Sequence, residues 1–141
     1  MIMLLPRPAL AALGGDVNSV HDDQAQMKGA LKTTQVEAYT VHEIKASAGT
    51  VVKEYVSPAG QVFAITWRGQ FIPNMQQLLG TYFEQFTAAA KAQRESGPGH
   101  RPVGIRQPGF VFQNGGHMRS YFGKAYVPEM VPQGVNPDAI Q

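Results

Sequence analysis

The segment Ser57-Pro58-Ala59-Gly60 separates two strand-like runs, Thr50–Val56 and Gln61–Trp67. Proline's fixed φ suits the second position of a type I turn, and glycine takes the left-handed position that closes a bulged loop. The chain is therefore committed to an antiparallel hairpin, and a hairpin needs further strands or a helix to be stable. Pairing Ser57 with Gln61 places Val51, Lys53, Tyr55, Phe63, Ile65 and Trp67 on one face. The other face then carries Val52, Glu54, Val56, Val62, Ala64 and Thr66. The first face is bulkier and is the expected core face, with Lys53 reaching toward the sheet edge.

The flanking sequence supplies the remaining elements. Ser19 is placed to cap a short first helix, with Asp22 and Asp23 in its first turn and an end near Gly29. Residues 35–45 are rich in β-branched and aromatic types and read as one strand, followed by a turn at Ala46-Ser47-Ala48-Gly49. Asn74 caps a helix over 74–93, where Leu78, Leu79, Tyr82, Phe83, Phe86, Ala89 and Ala90 follow a helical period that Gly80 weakens. Three prolines and three glycines make 94–108 a loop. A second hairpin is expected from Gly109–Gln113 and Gly116–Val127, turning at Asn114-Gly115, and 128–141 is an extended tail. The expected fold class is α+β: an antiparallel sheet of about five strands, in the order helix, three-strand meander, long helix, hairpin, with the long helix on one face.

A chain of 141 residues with 43% hydrophobic side chains suits one domain, and residues 12–141 are expected to form it. Cysteine is absent, which excludes disulfides, thiolate catalysis and cysteine-ligated metals. A net charge of +2 without a dense Lys/Arg stripe argues against nucleic acid as a partner. No stretch reaches the ~20 apolar residues of a membrane-spanning helix, so no integral membrane span is expected. Ala9-Leu10-Ala11 fits the small-x-small pattern of a leader-peptidase site, with cleavage before Ala12. Residues 1–11 thus read as the remnant of a secretory leader, and the expected location is periplasmic or secreted.

Catalytic motifs are missing. His42-Glu43 begins a zincin-like motif, but Ala46 stands where the second histidine is required. His21, His42, His100 and His117 lack ligand spacing, so no metal is expected, and no cofactor fingerprint is present. The feature that stands out is the last hairpin, apolar on both faces. Phe110, Phe112, His117, Arg119, Tyr121 and Val127 share one face; Val111, Met118, Phe122 and Tyr126 share the other. Either the helix and tail cover the second face, or Phe110, Phe112, His117, Arg119 and Tyr121 form a binding surface.

The same segments carry a family resemblance. Ala12-Leu13-Gly14-Gly15-Asp16, Tyr39-Thr40-Val41-His42-Glu43-Ile44, Lys53-Glu54-Tyr55-Val56, Val62-Phe63-Ala64-Ile65-Thr66-Trp67-Arg68-Gly69, Gly115-Gly116-His117-Met118-Arg119 and Gly123-Lys124-Ala125-Tyr126-Val127-Pro128 resemble an uncharacterised family of exported proteobacterial proteins, domain of unknown function 2844. The resemblance implies export and brings no activity. Together these readings point to a non-enzymatic binding or assembly module of the envelope, with an envelope protein or a second copy as partner. The alternatives are a small periplasmic enzyme without a recognisable motif and a self-associating structural protein.

Overall fold

The structure is a computed structural model that describes residues 13–15, 30–36, 38–46, 49–71, 73–96, 104–107, 109–117 and 119–140. The helix expected after Ser19, with its end near Gly29, and the expected leader lie outside these residues. Seven strands are described: β1 (Ala30–Gln35), β2 (Thr40–Lys45), β3 (Val51–Val56), β4 (Val62–Gly69), β5 (Gly104–Gln107), β6 (Phe110–His117) and β7 (Ser120–Tyr126). They form one sheet in the order β1-β2-β3-β4-β7-β6-β5, and every neighbouring pair is antiparallel.

This sheet corrects the five-stranded α+β expectation. The stretch read as one strand over 35–45 belongs to two strands, with Val36 N–H donating to Tyr39 O at 2.9 Å across the intervening turn. β1 escaped notice because Lys32-Thr33-Thr34-Gln35 is an exposed edge with no apolar alternation. The Gly/Pro-rich segment also contains β5, which buries Ile105 and pairs with β6. The last hairpin joins the sheet edge to edge through β4 and β7.

Two register features differ from the sequence reading. Ser57 N–H does bond Gln61 O at 2.8 Å, but the register then slips at Tyr55/Val56, so Tyr55 faces Ala64 rather than Phe63. One extra residue in β4 reverses side-chain parity beyond the bulge. Val52, Glu54, Val56, Ile65 and Trp67 consequently share the helix-covered face, while Lys53, Tyr55, Ala64 and Thr66 face the other way. In the last hairpin β6 runs straight through Asn114-Gly115 and extends to His117, which pairs with Ser120. Gly115 lies against Phe122 there: a Cβ at that position would come within 2.9 Å of the ring's Cζ, so the half-exposed ring would have to shift.

Asn74 caps the helical segment as expected, its Oδ1 accepting from Gln77 N–H at 3.2 Å. The single long helix is interrupted, however. α1 (Met75–Leu79) ends at Gly80, whose φ of 54° and ψ of −120° only glycine adopts readily. A 3₁₀ turn (Gly80–Tyr82) leads into α2 (Phe83–Ser96), which continues three residues past the expected end.

Leu78 and Leu79, with Tyr82 and Phe86, pack over Ile65, Trp67, Phe110 and Phe112 to make the main core. Leu13 is buried in it as well; its N–H donates to Leu78 O, and Gly14 N–H donates to Val62 O. A smaller core lies on the opposite face, where Tyr55, Phe63, Val111 and Tyr126 are covered by Met130, Val131, Val135 and Ile140 of the tail. Six consecutive residues of β4, Val62 to Trp67, are therefore buried.

Candidate functional site

The tail covers only part of the helix-free face. Beside it lies an open groove of about 700 Å³. Its floor is a row of register partners running across the sheet, Glu43, Lys53, Thr66, Lys124 and Gln113, one from each of β2, β3, β4, β7 and β6. A parallel row of Val51, Arg68, Phe122 and Gly115 completes it. Five strands at ~4.8 Å spacing make the floor about 19 Å wide.

The tail forms one wall through Asp138 and Ile140. Lys124 holds it there, its Nζ donating to Pro137 O at 3.0 Å and Asp138 O at 3.4 Å. Asn136 Oδ1 accepts from Asp138 N–H at 2.9 Å and shapes the last 3₁₀ turn. Phe122 supplies an aromatic surface and remains 50% exposed, in contrast to the phenylalanines of the core. Lys53, Arg68 and Lys124 outnumber Glu43 and Asp138 by one charge. At the junction with the tail-covered core, burial pushes the Tyr55 hydroxyl to a higher pKa, while a hydrogen bond with Thr66 opposes the shift.

The five hairpin residues singled out from the sequence do not form one surface. Phe110 and Phe112 are buried under the helix, with Phe110 stacked on Tyr82 at 5.5 Å between ring centroids and Phe112 at 4.5 Å from Phe86. Tyr121 is half-buried on the same side, its backbone paired with Gly69 and Gly116. His117 closes the hairpin opposite Ser120. Arg119 occupies the turn, exposed and with φ of 64°. Helix and tail thus cover much of both faces of the hairpin.

The groove residues Lys53, Thr66, Arg68, Gln113, Phe122 and Lys124 went unremarked as a group because their juxtaposition depends on strand register. Lys53 did carry a signal, as a cation assigned to an apolar face.

His42 and Glu54 are elsewhere. They are register partners on the helix-covered side, both buried, and His42 Nδ1 lies 3.0 Å from Thr33 Oγ1. Among the described residues that line the groove there is no histidine. Among the described residues no group of three or more His, Asp or Glu side chains is placed to hold a metal ion, and no helix is long and apolar enough to cross a membrane.

No curated protein and no solved structure matches the chain. A family model described as "Protein of unknown function (DUF2844)" matches residues 9–140. With nearly its whole length inside that match, the chain belongs to the DUF2844 family.

Proposed function

We propose that the protein is an exported, non-enzymatic binding module whose groove takes an elongated anionic ligand of the cell envelope. The observation that carries this reading is the groove itself. It is an open trough about 700 Å³ in volume, polar along its floor, with three cations against two carboxylates and an exposed aromatic ring. Recognition sites combine apolar contact area with a few placed polar groups in this way. The width of about five strands suits a chain lying across the sheet rather than a compact metabolite. Export is supported by Ala9-Leu10-Ala11 and by Leu13, which is anchored in the core only two residues after the expected cut.

The test is in-cell cross-linking of the full-length protein with mass spectrometry of both its adducts and its amino terminus. A processed chain starting at Ala12, with adducts lost in Arg68→Glu and in Phe122→Asp, is the expected result. Both variants replace exposed groups and should stay folded. Adducts that survive both substitutions would refute the groove as the binding site. A chain still carrying residues 1–11 in the cytosol would refute export.

A further inference from the structure

We infer that Arg68 and Arg119 form a phosphate-binding corner at the end of the groove, so that the anion carried by the ligand is a phosphate group. This rests on the groove reading and adds the chemical class of the ligand. Beside the groove lies a smaller depression of about 250 Å³, lined by Gly49, Arg68, Gly69, Gln70, Arg119 and Ser120. Arg68 lines both hollows, which places them side by side. Among the described residues that line the depression, Arg68 and Arg119 are the only charged ones, and none carries a carboxylate. An anion seated in such a hollow is attracted by both cations.

The backbone gives a second, independent argument. Among the described residues Arg119 is the only non-glycine with positive φ, at 64°. An unbranched polar turn position of this kind is taken most cheaply by glycine or asparagine, so arginine there costs stability. The turn is fixed tightly, since a Cβ on Gly116 would lie 2.1 Å from Ser120 O. Backbone positions of this kind that the surrounding structure over-determines are found at ligand sites as well as in tight turns, and Arg119 lines the hollow.

The donor set selects the anion. One guanidinium already satisfies a carboxylate through two parallel hydrogen bonds. Two guanidinium groups, with the Ser120 hydroxyl and the Gln70 amide beside them, offer more donors and more charge than a carboxylate accepts. A phosphate group, with a charge of about −1 to −2 and three or four acceptor oxygens, matches them.

The experiment is titration of the full-length protein with inorganic phosphate, followed through the side-chain Nε–H resonances of its arginines, against acetate at equal ionic strength. Saturable shifts confined to Arg68 and Arg119 are expected for phosphate alone. Arg119→Gly is the decisive variant, because it removes the guanidinium and relieves the backbone. It should unfold at higher urea than the parent yet bind phosphate about tenfold or more weakly. Arg119→Lys keeps the charge without the fork and should be intermediate.

Two arms separate sources of the group: glycerol 3-phosphate in solution, and vesicles of phosphatidylglycerol. Binding to either supports the corner and says which carrier is used. Equal shifts at all arginines, or unaltered phosphate binding by Arg119→Gly, would overturn it. If phosphate fails while Phe122→Asp still abolishes envelope adducts, the corner falls and the groove stands.

Discussion

The Trp67–Gly123 contact gives the most exacting test of the packing. These residues are register partners on β4 and β7, on the helix-covered face. A Cβ built on Gly123 would lie 2.3 Å from Trp67 Cζ2, 2.5 Å from Cε2 and 2.8 Å from Gln113 O. Carbon atoms in contact sit about 3.5–4.0 Å apart, so the indole ring would have to move by more than about 1 Å. It has little room, being 2% exposed and packed against Phe112 at 5.5 Å, which itself meets Phe86 at 4.5 Å. Gly123→Ala should therefore cost about 3 kcal/mol, the upper end for overpacking a core. For a chain of this length that lowers Tm by about 10 °C. Gly104→Ala, where a Cβ meets nothing within 4 Å, is the control and should change stability by less than about 0.5 kcal/mol.

Urea denaturation followed by far-UV circular dichroism is the assay in every background, and in proteins that retain Trp67, the only tryptophan, its emission also reports on the disturbed site. In a Trp67→Leu background most of the cost of Gly123→Ala should vanish, leaving a residue from the Gln113 carbonyl. A Gly123→Ala protein with parental stability and emission would refute the packing. An equal cost in both backgrounds would place the penalty in the backbone and refute the ring's part in it.

The two kinds of phenylalanine should separate cleanly. Phe112→Ala should cost about 3–5 kcal/mol in chemical denaturation, whereas Phe122→Ala should stay within about 1 kcal/mol of the parent. Tyr55 should make the protein sensitive to alkali. Its folded pKa is raised above the ordinary 10.0 by burial, so the folded state keeps a proton that the unfolded chain releases. Its contribution is intact below pH 10 and is lost as pH rises through the folded pKa. Unfolding free energy measured across that window should fall less steeply in Tyr55→Phe; parallel curves would refute the assignment.

Local signals in the sequence were read well, and long-range ones were not. The Ser57–Gly60 loop and the Asn74 cap depend on a few neighbouring residues, and both stand as expected. The break at Gly80 was visible only as a lowered propensity; tertiary packing of Leu78 and Leu79 on one side and Tyr82 on the other turns it into a kink. Asn114-Gly115 is a strong turn signal overridden by strand pairing, with Asn114 opposite Gly123 and Gly115 opposite Phe122 of β7. β1 and β5 lie at the two edges of the sheet, where strands carry little apolar alternation and are recognised by their partners.

The bulge at Phe63 connects these register questions to the site. Had the Ser57–Gln61 pairing continued without a slip, Lys53 would share a face with Ile65 and Trp67, beneath the helix. Burying an ammonium group there would cost several kcal/mol. The extra residue in β4 instead sends Lys53 to the side where Thr66, Lys124 and Gln113 lie, and it places Ile65 and Trp67 under α1 and α2. One backbone irregularity thus satisfies the core and assembles the polar row of the groove. Nothing in Val62-Phe63-Ala64 marks that residue as the extra one, because all three are apolar and all three are buried. Phe63 is retained on the tail side by Tyr39 and Tyr55, whose rings lie 5.8 and 6.2 Å away, so the smaller core holds the bulge in place. The groove and the tail-covered core are consequently one construction: the aromatic cluster fixes the register on which the position of Lys53 depends.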